Sequence, residues 1–147
     1  MKSKSFVLIL ILTSLLVGLL LFPGCASGPK FTKIQAIPDS MGLVYIYRPG
    51  KLIGGAVSYQ VNANGTSITR LGSGGYFPYF AKPGEIEFSA KTESTSSITL
   101  DVKSGQTYYI KGTVGIGILV GRPHLVLVPA DLGEKEIVEC KLLEEKK

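Results

Sequence analysis

One histidine, two cysteines and two small groups of carboxylates are the residues of this 147-residue chain whose types could support chemistry. His124 follows Arg122-Pro123 at the start of an apolar run. A catalytic or metal-bound histidine needs a second ligand, an orienting group or a nucleophile beside it, and the surrounding sequence offers none. An edge-strand histidine without chemistry is the simpler reading. Cys140 reads as a small buried apolar side chain, with a reactive thiol or an intermolecular disulfide as the alternatives. Glu85 and Glu87 fall on the polar side of an alternating run, and Glu134, Glu136, Glu139, Glu144 and Glu145 lie in a charged C-terminal stretch. Both groups read as solvated surface, without the pairing of a general acid and base. Gly115-Ile-Gly-Ile-Leu-Val-Gly121 has the glycine density of a nucleotide loop. It lacks the Gly-Lys-Ser/Thr ending of a P-loop, and its spacing does not fit the dinucleotide fingerprint. It reads as an apolar β-loop which, if exposed, marks a partner or membrane contact. These residues imply no metal, no cofactor and no enzyme; the competing expectation is an envelope enzyme using His124 or Cys140.

The other cysteine has a different setting. Lys2 and Lys4 precede an apolar run from Phe6 to Phe22, which Pro23-Gly24 breaks immediately before Cys25. A basic head, an apolar core and a small residue before a break form an export signal. A permanent transmembrane helix needs about 20 apolar residues, which leaves this run at the lower limit, with no basic stop-transfer cluster after it. Gly24-Cys25 resembles the lipobox of bacterial lipoproteins, although Phe22 and Pro23 depart from its usual pattern. That resemblance implies cleavage before Cys25 and acylation of its thiol. The alternatives are an ordinary cleaved signal and an uncleaved anchor. Two or more acyl chains hold a soluble domain firmly on a membrane. Ala26 after the cysteine implies sorting to the outer membrane, facing the periplasm, if the cell is Gram-negative.

These readings divide the chain into a signal peptide at 1–24, a tether at 25–39, a β-domain at 40–143 and a charged tail at 144–147. Of 16 basic residues, Lys2 and Lys4 leave with the signal; 14 then face 11 acidic residues, a net +3. They are scattered without a nucleic-acid footprint. With Cys25 acylated, Cys140 has no intramolecular partner. In the tether, Phe31, Ile34 and Ile37 are candidates to dock on the domain.

Short β-type runs separated by turn residues fill the remainder. Gly42–Arg48 is apolar on both faces, Leu43, Tyr45 and Tyr47 against Val44 and Ile46, which predicts a central strand. Asn62-Ala63-Asn64-Gly65 predicts a hairpin turn. Pro78 within Tyr76–Phe80 predicts an edge or a bulge. Residues 85–91 and 98–102 alternate, so one face of each is wet. Glu136–Leu142 reads as a last strand or short helix. The expected fold is all-β, an antiparallel sandwich of eight or nine short strands.

Tyr45-Ile-Tyr-Arg-Pro49, Val61-Asn62 with Gly65, Gly74-Gly-Tyr-Phe77, Pro83-Gly84, Gly105 with Tyr108-Tyr109, and Gly121-Arg-Pro123 occur in that order. The succession, over about residues 40–130, resembles a family of small bacterial lipoproteins classed as a domain of unknown function, with a PEGA-like β-sandwich flavour. The resemblance implies fold and location and brings no catalytic residue. The chain therefore reads as a lipid-anchored envelope protein acting as a non-enzymatic binding or assembly module, or else as a purely structural component. Its partners are expected to be the membrane, through lipid on Cys25, and an envelope protein or peptidoglycan, with Lys147 as one conceivable attachment point. Nucleic acid is not expected. The aromatic side chains Tyr76, Phe77 and Tyr79, the loop side chains Ile116, Ile118 and Arg122, and an exposed sheet edge are the candidate contact surfaces.

Overall fold

The structure, a computed structural model, describes residues 26–51, 54–118 and 120–143. The signal segment 1–24, Cys25 and the tail 144–147 lie outside the described residues. Among the described residues, nine strands and one helix follow in the order β1 (Gly42–Arg48), β2 (Tyr59–Ala63), β3 (Thr66–Leu71), β4 (Gly75–Ala81), β5 (Gly84–Lys91), β6 (Thr95–Val102), β7 (Thr107–Gly115), β8 (Arg122–Val128), α1 (Ala130–Ile137) and β9 (Lys141–Leu142). They form two sheets, β8-β7-β1-β4-β9 and β3-β2-β5-β6. The expected β-sandwich is present.

β1 is the middle of the larger sheet, as its two apolar faces require, and all seven of its residues are buried. Val44 and Ile46 face the second sheet and join Val61, Phe77, Phe88, Val102 and Ile110 in the main core. Leu43, Tyr45 and Tyr47 face the other way into a second cluster with Tyr76, Tyr109, Ile137 and Cys140.

Two details differ from the expected antiparallel pairing. β1 pairs in parallel with β7, and β4 in parallel with β9. The first arises because the polypeptide builds the second sheet from β2 and β3 before returning as β4, and again from β5 and β6 before returning as β7. The second arises because α1 turns the chain back across the sheet. The hairpin between β2 and β3 closes at Asn64-Gly65, both with positive φ (47° and 78°), the conformation that a two-residue type I′ turn demands. β9 pairs only with Gly75 and Tyr76, so β4 is an edge from Phe77 onward, where Pro78 has no N–H to leave unpaired.

The outer face of the larger sheet is covered by α1 and by the chain preceding β1. Phe31 packs edge-on against Tyr45 and Tyr76, with centroids 5.2 and 5.1 Å away. Its N–H donates to the Cys140 carbonyl, and the Ile34 N–H donates to the Tyr45 hydroxyl at 2.9 Å. Ile34 and Ile37 complete the docking. From Gly28 onward the segment expected to be a tether is thus a strap laid on the sheet. Gly133, inside α1, sits where a Cβ would lie 2.3 Å from the Tyr109 ring, which sets how closely the helix approaches.

Candidate functional site

β7 and β8 pair out to Gly115 and Arg122, and the loop joining them carries the two most exposed large apolar side chains among the described residues. Ile116 is 95% exposed, Ile118 86% and Val120 50%. The loop backbone is held from beneath by the turn between β5 and β6. The Glu93 carboxylate accepts the N–H of Ile118 at 2.9 Å and the N–H of Val120. The Thr92 hydroxyl donates to the Gly121 carbonyl at 2.5 Å. Gly121 has φ +95° and would place a Cβ 2.7 Å from Val114, so no other residue closes the loop this way.

The physical balance at this loop is unusual. Three of its backbone polar groups are taken up by Glu93 and Thr92, while Ile116, Ile118 and Val120 are exposed. Burying one isoleucine is worth about 1.5–3 kcal/mol, so three exposed aliphatic side chains on one braced turn leave a comparable gain unrealised. Such a patch marks a contact surface. Arg122, also exposed, begins β8 at the base of the loop.

Of the six side chains singled out as contact candidates, Ile116, Ile118 and Arg122 are together. Tyr76, Phe77 and Tyr79 are not. The strand pleat sends alternate residues to opposite faces, and both faces of β4 are covered. Tyr76, 5% exposed, lies under the strap. Phe77 and Tyr79 face the main core, where Tyr79 meets Phe88 edge-on at 5.8 Å. Tyr76 and Phe77 are therefore core residues rather than parts of a groove; their neighbour Phe80 is 36% exposed.

His124 and Cys140 do not meet. His124 is exposed on β8 opposite Thr113. Cys140 is 1% exposed, and its thiol donates to the Arg48 carbonyl at 3.6 Å. Two strand spacings, roughly 10 Å, separate β8 from β1. Burial pushes the Cys140 thiol up to about 11, even though the hydrogen bond to Arg48 opposes it. Among the described residues no group of three His, Cys, Asp or Glu side chains could hold a metal, and no helix is long and apolar enough to cross a membrane.

Two residues that sequence reasoning passed over shape this end of the sandwich. Glu93 sits in a polar turn and looks like surface; its hydrogen bonds reach 25 and 27 residues along the chain, beyond any local pattern. Arg48, only 3% exposed, donates to the Val57 and Gly54 carbonyls, both at 2.6 Å, and lies 5.8 Å from the Tyr59 ring centroid. Burial lowers its pKa, while the carbonyls satisfy its N–H groups. It clamps the connection between β1 and β2.

At the same end, Ala26 lines an open cleft of about 400 Å³ with Gly50, Lys51, Gly74, Glu139 and Lys141.

No curated protein matches the chain. Among solved structures, the N-terminal domain of AlgF from P. aeruginosa is similar at 18% identity and a TM-score of 0.42, covering 64% of this chain and 100% of that one. That likeness is too distant to bear on function. A family model matches residues 38–121, from just before β1 to the last residue of the exposed loop. The chain belongs to the family described as a protein of unknown function, DUF2846.

Proposed function

We propose that this protein is a lipid-anchored component of the bacterial envelope, attached through Cys25, which works as a non-enzymatic binding or assembly module. The observation that carries the reading is the braced loop presenting Ile116 and Ile118 to solvent. An apolar surface maintained by backbone hydrogen bonds to Glu93 and Thr92 suits a standing contact better than it suits turnover of a substrate. The burial of Cys140, with its thiol turned onto the Arg48 carbonyl, counts against an envelope enzyme using that thiol, and the exposed loop counts against a purely structural component. The export signal and the lipobox-like Gly24-Cys25 support the location, and Ala26 favours the periplasmic face of an outer membrane.

The attachment is tested with Cys25→Ser in cells. Palmitate incorporation is expected to disappear and the protein to leave the membrane fraction; unchanged fractionation would sink the anchor. The contact role is tested with a photo-crosslinking residue at position 118 and another at position 85, on the exposed side of β5. Adducts are expected from position 118 and not from position 85, and no adduct at 118 removes the loop from the function.

A further inference from the structure

The anchor and the apolar loop belong to the same end of the sandwich. β7 runs parallel to β1, Leu43 opposite Thr107 and Tyr47 opposite Lys111, so both strands finish at one end. Gly54, in the connection leaving β1, would place a Cβ 3.5 Å from Val114, near the end of β7. The loop bearing Ile116, Ile118 and Val120 starts there. Ala26 is at this end too, in the cleft formed with Gly50 and Lys51 after β1, Gly74 before β4, and Lys141 at the start of β9.

Cys25 is one peptide unit from Ala26, ~3.8 Å between Cα atoms. By Gly28 the chain is already seated: a Cβ there would lie 2.2 Å from the Leu142 carbonyl oxygen. Three residues at full stretch span at most ~11 Å. One α-helix with its side chains is about 10–12 Å across, so a folded partner does not fit between this end and the lipid surface.

We infer that Ile116, Ile118 and Val120 rest in the interfacial region of the membrane that holds Cys25, with the lipid itself as the occupant of the loop surface. The inference builds on the anchored reading above and names the partner of its contact site. The charges at this end suit a lipid headgroup layer. Lys51, Lys141 and Arg122 are exposed, Glu139 is paired with Lys30 at 3.1 Å, and Glu93 is turned under the loop onto backbone N–H groups. Exposed cations near an apolar contact favour anionic leaflets. The opposite end, with the Asn64-Gly65 turn and the Pro83-Gly84 turn, then faces away from the bilayer.

The test uses the full acylated protein reconstituted in vesicles of phosphatidylethanolamine and phosphatidylglycerol. An environment-sensitive fluorophore is placed at Ile118→Cys or, as the control, at Asn64→Cys in the exposed hairpin turn at the far end. Both proteins should float with the vesicles. The label at 118 should shift to shorter wavelength and be quenched by bromine-bearing lipids, and the label at 64 should be quenched only by aqueous iodide. A protein that floats while its label at 118 stays accessible to iodide overturns the docking and leaves the anchor standing. A protein that does not float overturns both. A label that is dry in native membranes and wet in pure lipid assigns the loop to a protein partner and equally overturns the proposal.

Discussion

The Tyr47 hydroxyl donates to the Glu136 carboxylate at 2.7 Å, tying the central strand of the larger sheet to the helix that covers it. Lys111, on β7, reaches the other oxygen of the same carboxylate at 2.6 Å. One glutamate thus joins β1, β7 and α1. Burial works against its charge, but the hydrogen bonds from Lys111 and Tyr47 prevail and hold its carboxyl below the usual range.

Replacing Tyr47 with Phe should therefore cost about 1.5–3 kcal/mol, the value of a hydrogen bond to a charged acceptor. The pH dependence has a definite sign. Because the folded pKa of Glu136 is depressed, its stabilisation is present above the unfolded value of 4.5 and is lost as pH falls through the folded value. Urea midpoints measured from neutral pH into the acid range should fall less steeply in Glu136→Gln than in the parent protein. An identical acid slope in both would show that Glu136 does not carry this effect.

At the alkaline side the tyrosines decide. Burial raises Tyr45, Tyr47, Tyr76 and Tyr109 above 10.0 and pushes Tyr59 up to about 12, with the Arg48 charge opposing part of the last shift. A raised folded pKa means stability that is whole below pH 10.0 and lost as pH rises through the folded value. Phenolate absorbance from these five residues should thus appear together with the loss of circular dichroism. Their smooth ionisation in a still-folded protein would contradict their burial.

Gly133→Ala sets two effects against each other. Alanine favours an α-helix over glycine by about 0.8–1 kcal/mol. At 133 its methyl would stand 2.3 Å from the Tyr109 ring and 2.5 Å from the Tyr109 Cβ, both buried and unable to yield. Overpacking of this kind costs about 1–3 kcal/mol, so the variant should be less stable despite its better helix former. Chemical denaturation measures the difference, and a stabilised Gly133→Ala would mean that α1 is free to shift on the sheet.

Cys140 should be unreactive in the native state. The thiolate is the attacking species, and a thiol raised to about 11 and only 1% exposed supplies little of it. An aromatic disulfide reagent at about pH 8, where an ordinary thiol reacts readily, should modify Cys140 only after denaturant is added. Rapid modification of the folded protein would revive the reactive-thiol alternative.

Much of the sandwich could be read from the sequence because strand periodicity is local. Ile86, Phe88 and Ala90 alternate with polar residues and do point inward, and apolar faces on both sides of Gly42–Arg48 did mark the middle strand. The Asn64-Gly65 turn followed from the φ values that those two residues tolerate. What was not legible depends on pairing across the chain. The alternation of Tyr76, Phe77 and Tyr79 was visible, but their burial required knowing that the strap covers one face and β5 the other. The helix was equally obscure. It has only eight residues, carries an internal glycine and lacks a side-chain N-cap, so its docking on Tyr109 outweighs its own propensity. For the loop, composition pointed to an apolar contact; the bracing by Glu93 was hidden by sequence distance.

The position of β1 has a consequence for how the chain reaches this fold. It is the first strand made and the most completely buried, yet its neighbours are β4 and β7, and Leu43 must wait for Thr107. Pairings between distant segments form slowly, because the loop must close before the contacts reward it. During synthesis an apolar segment, Leu-Val-Tyr-Ile-Tyr, therefore remains without its final partners until most of the domain has emerged. The late arrival of β7 makes the same segment the one that most needs shielding from other chains along the way.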